Sequence, residues 1–112
     1  MAKKSAIVVG AGIVGIATAR ALALHGFVVN VYERNPKATG ASVRNFGMVW
    51  PIGQPAGKLY ERAIRSRNIW KDIGDSGRLW YDPVGSLHLA FHPLEWQVLQ
   101  ELFLAFREEG RD

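Results

Sequence analysis

Ser5-Ala6-Ile7-Val8-Val9-Gly10-Ala11-Gly12-Ile13-Val14-Gly15 is the stretch that decides the fold. Ala6 to Val9 form a continuous apolar run bounded by Gly10, the pattern of a short strand over Ser5–Val9 buried in a parallel sheet. Gly10, Gly12 and Gly15 match G-x-G-x-x-G, which gains weight because it follows a strand and opens a helix. The first glycine permits the tight turn. The second lets a pyrophosphate approach the backbone, and the third lets helix and strand pack closely. Unsatisfied amides at the helix start then attract negative phosphates.

An alanine-rich helix is predicted from about Gly12 to His25, with Val14, Ala17, Ala21 and Leu24 as its apolar stripe. His25 suits the negative end of the helix dipole, and Gly26 suits the position just past it. Phe27 to Tyr32 reads as a second strand, closed by Glu33. Strand, helix and strand make a βαβ unit with parallel strands. Glu33 lies where a carboxylate accepts hydrogen bonds from an adenosine ribose, and its charge disfavours a 2′-phosphate such as that of NADP. Lys3, Lys4 and the following apolar run imitate a secretory signal, but glycines at 10, 12 and 15 and the charge of Arg20 argue against one. The expected location is the cytoplasm.

The remaining residues add a loop, a helix, a β-hairpin and a last helix. Residues 35–57 are rich in glycine and proline without a sustained period. A helix is expected from about Ala56 to Ile73, with Leu59, Ala63, Trp70 and Ile73 on one face and Gly74 as its stop. Leu79–Tyr81 and Ser86–Phe91 are predicted to pair as strands around Asp82-Pro83-Val84-Gly85. Pro93 opens the last helix, whose apolar face is Val98, Leu99, Leu102, Phe103 and Phe106. The predicted class is therefore α/β. It comprises a Rossmann-like βαβ unit with its loop (1–50), a helical segment (51–78), and a hairpin plus helix (79–112). A chain of 112 residues holds one small core, and a doubly wound sheet needs more strands than these, so a fragment of a larger two-domain fold is expected.

Composition narrows the chemistry. The absence of cysteine excludes disulfides, thiolate nucleophiles and cysteine-bound metals. His25, His88 and His92 show no metal-site spacing, and no nucleophile-elbow motif is present. The net charge of +4 owes much to Lys58, Arg62, Arg65, Arg67 and Lys71, read as a solvated helix face rather than a nucleic-acid or membrane patch. No catalytic residue is named, and no metal is expected.

The glycine motif alone serves both NAD and FAD, and the residues after Glu33 separate them. Glu33-Arg34, followed by Gly40-Ala41-Ser42-Val43-Arg44-Asn45-Phe46-Gly47-Met48, resembles the FAD-dependent amine and amino-acid oxidases related to D-amino-acid oxidase, glycine oxidase and sarcosine oxidase. Residues 40–55 look closest to a bacterial subgroup proposed to act in phosphonate utilisation. Pro83 to Phe91 resembles the family's first substrate-domain strand.

The resemblance implies FAD as cofactor, held by Gly10, Gly12 and Gly15 at the pyrophosphate and by Glu33 at the ribose. It places Arg34 beside the adenine, Ser42 at the phosphates, and Asn45, Gly47 and Met48 near the flavin edge. Simple turn chemistry also accounts for Ser42 and Asn45, and a surface role for Arg44 competes with an anion contact. The implied reaction oxidises a small-molecule amine, with no nucleic acid or membrane as partner. An incomplete fold would also self-associate or require a missing C-terminal portion. The alternatives are an NAD-linked dehydrogenase and a truncated dinucleotide-binding module without turnover.

Overall fold

The structure, a computed structural model, describes residues 3–111; the outer limits of the expected segments, at residues 1 and 112, lie outside them. The chain divides into two compact units, one up to Met48 and one from Val49 onward.

The first unit is the βαβ element. Strand β1 (Ser5–Val9) is followed by helix α1 (Ile13–Leu24) and strand β2 (Val28–Tyr32). The strands pair in parallel, with Ser5 opposite Val28 and Val9 opposite Tyr32. Parallel neighbours require a crossover, which α1 supplies. The helix ends on His25, and Gly26 takes the left-handed conformation (φ 83°) that a glycine tolerates best.

The glycine spacing dictates which face of α1 meets the sheet. A Cβ on Gly15 would lie 1.9 Å from the Gly10 carbonyl oxygen and 3.5 Å from Val8 Cγ1. Gly15 therefore rests on the turn, and Ala19 and Leu22, one and two helical turns on, are the next most covered positions. The predicted stripe of Val14, Ala17, Ala21 and Leu24 is exposed instead. Hydrophobic spacing suggested one face, and the backbone contact at Gly15 selects another.

The second unit holds helices α2 (Lys58–Asp75) and α3 (Pro93–Glu108). Gly74 does not stop α2 as expected; it lies inside the helix. A Cβ there would come within 2.5 Å of Tyr81 Cβ, so the missing side chain admits the returning chain. At the start of α3, the Glu95 carboxylate accepts the amides of Phe91 (2.7 Å) and His92 (3.1 Å), and Pro93 has no N–H to satisfy.

Arg111 joins distant parts of this unit. Its side chain is buried, with the guanidinium carbon 4.3 Å from the Tyr60 ring centre and 4.7 Å from that of Phe106. Nη1 donates to the Gln54 carbonyl at 2.8 Å, and Nε lies 2.5 Å from Glu109 Oε2. Aromatic faces, a carbonyl and a carboxylate offset the loss of water around the cation.

The predicted hairpin is absent: residues 79–91 carry no strand. Val84 N–H bonds the Asp82 carbonyl at 3.0 Å, making a tight turn, while Tyr81 packs on Gly74 rather than pairing with the second arm. A three-residue arm without a further strand is too short to sustain a two-stranded ladder in water.

Gly15→Ala is expected to lower stability by about 3 kcal/mol, because the methyl group collides with backbone rather than with a movable side chain. Gly40→Ala, where the added methyl meets open space, is expected to change it by less than about 0.5 kcal/mol. Urea unfolding followed by circular dichroism measures both.

Candidate functional site

The carboxyl ends of β1 and β2 lie side by side, the edge at which open parallel sheets bind ligands. The chain leaves β1 through Gly10, whose φ of 99° is a glycine conformation and whose N–H donates to the Tyr32 carbonyl at 2.7 Å. The turn is thereby fastened to the end of β2. Gly12 precedes α1 in an extended conformation and, having no side chain, supplies no cap of its own.

Two side chains from the segment after β2 meet this turn. The Ala11 N–H donates to Glu33 Oε2 at 2.9 Å, and the Ile13 N–H donates to Ser42 Oγ at 2.8 Å. Ser42 lies in a short 3-10 turn, Ala41–Arg44, and approaches closely because Gly12 lacks a side chain; a Cβ there would be 3.1 Å from Ser42 Oγ. Glu33 Oε1 also accepts the Asn35 N–H at 3.1 Å.

These contacts border two hollows. One, of about 210 Å³, is lined by Glu33, Arg34, Asn35 and Thr39, with Gly12 and Ser42 on its rim. The other, of about 500 Å³, is lined by the end of β1, the glycine turn and the first residues of α1. Gly12, Ala41 and Ser42 border both, so they form the ridge between them.

Of the residues predicted for the site, Gly10, Gly12, Gly15, Glu33, Arg34 and Ser42 come together here. Asn45, Gly47 and Met48 line neither hollow. Asn45 Oδ1 instead accepts the Gly47 N–H at 3.1 Å, a local turn that places Gly47 at φ 72° and leaves Met48 exposed. Sequence reasoning missed Ala11, which acts through its backbone amide and leaves no residue-type signal. It also missed Asn35 and Thr39, whose only signal was their position between the acid and Gly40. Among the described residues, no group of three His, Asp or Glu side chains is placed to hold a metal ion. His88 is exposed in the unpaired segment, and His25 and His92 flank helix ends. No helix among the described residues is long and apolar enough to cross a membrane.

A glycine turn between strand and helix, with an acid at the end of the next parallel strand, is the arrangement of dinucleotide-binding folds. The chain belongs to the FAD dependent oxidoreductase family, whose model matches residues 5–111. FAD, rather than NAD, is therefore the cofactor of the family to which the chain belongs.

The chain is 37% identical over 99 residues to the tRNA 5-methylaminomethyl-2-thiouridine biosynthesis bifunctional protein of Saccharophagus degradans, covering 78% of this chain and 13% of the relative. The protein of the same name from Ectopseudomonas mendocina is 30% identical over 119 aligned positions, covering 95% and 17%. That of Chromobacterium violaceum is 42% identical over 60 residues, covering 54% and 8%. The chain thus spans less than a fifth of the length of these relatives. No solved structure matches it.

The hydrogen bond from Ala11, and next that from Asn35, hold the Glu33 carboxyl below its ordinary pKa. A depressed carboxylate stabilises the folded state above its unfolded pKa, and that contribution disappears as pH falls through the folded value. Glu33→Gln is expected to lower the thermal midpoint at neutral pH, with the gap from wild type closing between about pH 5 and pH 3. Thermal unfolding across that range tests this; a gap that is constant with pH would show that the charge is unimportant.

Proposed function

We propose that this chain forms the adenosine- and pyrophosphate-binding part of an enzyme that oxidises the carbon next to an amine nitrogen. The observation carrying this is the ridge at Gly12 and Ser42, with Glu33 on one side and the opening turn of α1 on the other. The residues suit FAD. Gly10 and Gly12 leave the turn open, Glu33 presents carboxylate lone pairs beside the first hollow, and Ser42 presents a hydroxyl at its edge. Gly10, Gly12 and Gly15 would shape the phosphate site, Glu33 would hold the ribose, and Arg34 would flank the adenine. Asn45, Gly47 and Met48 would continue towards the flavin.

When bound, FAD would accept at N5 a hydride equivalent from the amine-bearing carbon, and the resulting imine would hydrolyse in water. The protein's share is orientation and electrostatics. The segment after β2 supports the amine assignment by its resemblance to amine and amino-acid oxidases. The relatives' names support it separately, since a methylaminomethyl group is a secondary amine. A small phosphonate-linked amine remains the narrower proposal, resting on residues 40–55 alone. Oxidation itself is proposed for the whole protein, in a cytoplasmic setting.

Titration of the purified chain with FAD, followed by its visible spectrum, tests the cofactor site. Wild type is expected to retain the flavin bands after removal of free FAD. Gly12→Asp, which adds a negative charge on the ridge and crowds Ser42, is expected to lose them. A wild-type chain that is folded by circular dichroism yet stays colourless would refute the cofactor assignment for this chain.

A further inference from the structure

Amides at the start of a helix have no partner within it and exchange rapidly with water unless something else binds them. In α1 the first such amide, Ile13, is bonded to a side chain 29 residues away, while Ala11 in the preceding turn is bonded to one 22 residues away. Both partners, Ser42 and Glu33, belong to the segment that borders the FAD site. We propose that Ser42 is a positioning residue that docks the 34–48 loop onto the glycine turn before FAD arrives, with Glu33 as the second tie, so that the site is pre-formed. This rests on the FAD reading of the site.

Three features carry the inference. The two ties bracket Gly12, one on each side, so together they fix both position and direction of the loop relative to the turn. Gly12 makes room for Ser42 Oγ, so its missing side chain also serves the contact between loop and turn. The Ser42 oxygen accepts from Ile13, which leaves the hydroxyl proton available at the ridge. Docking the loop therefore removes no donor from the hollow, because one amide is exchanged for one hydroxyl.

Pre-formation has a kinetic signature. When only a fraction of molecules is competent, apparent affinity falls by that fraction. Loss of a direct contact acts mainly on dissociation. Ser42→Ala is therefore expected to slow FAD association on the order of tenfold, a loss separate from the faster dissociation that follows from removing the hydroxyl's own contact with the cofactor. Ser42→Thr, which keeps the acceptor oxygen, is expected to restore association. Stopped-flow quenching of flavin fluorescence reads both rates.

Amide exchange of the isotope-labelled, FAD-free chain supplies a second readout. The Ile13 amide is expected to be protected relative to Val14, which has no such partner among the described residues. That protection is expected to vanish in Ser42→Ala. Equal exchange of Ile13 and Val14 in the free wild-type chain, or faster dissociation with unchanged association in Ser42→Ala, would overturn the proposal. A chain that takes up no FAD would count against the cofactor reading alone. The wild-type exchange measurement needs neither FAD nor a variant, so it still decides whether the loop is docked.

Discussion

The approach of α1 to the turn that precedes it depends on the bare Cα of Gly15 facing the Gly10 carbonyl. That contact sets the angle at which the helix leaves β1 and decides which side of the helix rests on the sheet. It also brings the start of α1 to the end of β2, where Glu33 waits. With the helix rotated or lifted by one methyl group, the Ala11 and Ile13 amides would no longer lie within reach of Glu33 and Ser42. Packing and binding chemistry therefore share one constraint here.

The three glycines of the motif perform separable tasks. Gly10 adopts a backbone conformation unfavourable to other residues, Gly12 gives space to a hydroxyl oxygen, and Gly15 gives space to a carbonyl. All three nevertheless line the second hollow. The acid and the serine, in turn, act on the protein itself, each accepting a backbone amide beside Gly12. A carboxylate beside a backbone amide stabilises the turn electrostatically, and the same group can still offer lone pairs to a ribose.

The βαβ unit was legible because its signals agree: a β-branched run, a glycine turn, an alanine-rich helix and an acid all point to one arrangement. Glu33 was singled out by its spacing from the glycine turn and Ser42 by the resemblance of the segment after β2, and the structure brings both side chains to that turn. The buried side of α1 was misread because alanines are spread around the helix, and a glycine contact outweighs such a weak stripe. Leu79–Tyr81 and Ser86–Phe91 read as strands by composition, but a strand needs a partner, and partnership is not written in local residue types. Ala11 shows another limit, since its contribution is an amide that every residue except proline possesses. Arg111 was invisible too: a lone arginine near a helix end gives no hint that two aromatic rings from separate helices will enclose it.

Arg111 also sets an order of events during synthesis. The ties of the first unit close over 22 and 29 residues, whereas Arg111 reaches back 57 residues to Gln54. At roughly 5–20 residues per second, a ribosome delivers Arg111 about 3–13 s after Met48. All residues of the glycine turn and its two ties are thus synthesised before the residue that joins the parts of the second unit. The position of one arginine in the chain therefore separates in time the synthesis of the long-range ties of the two units.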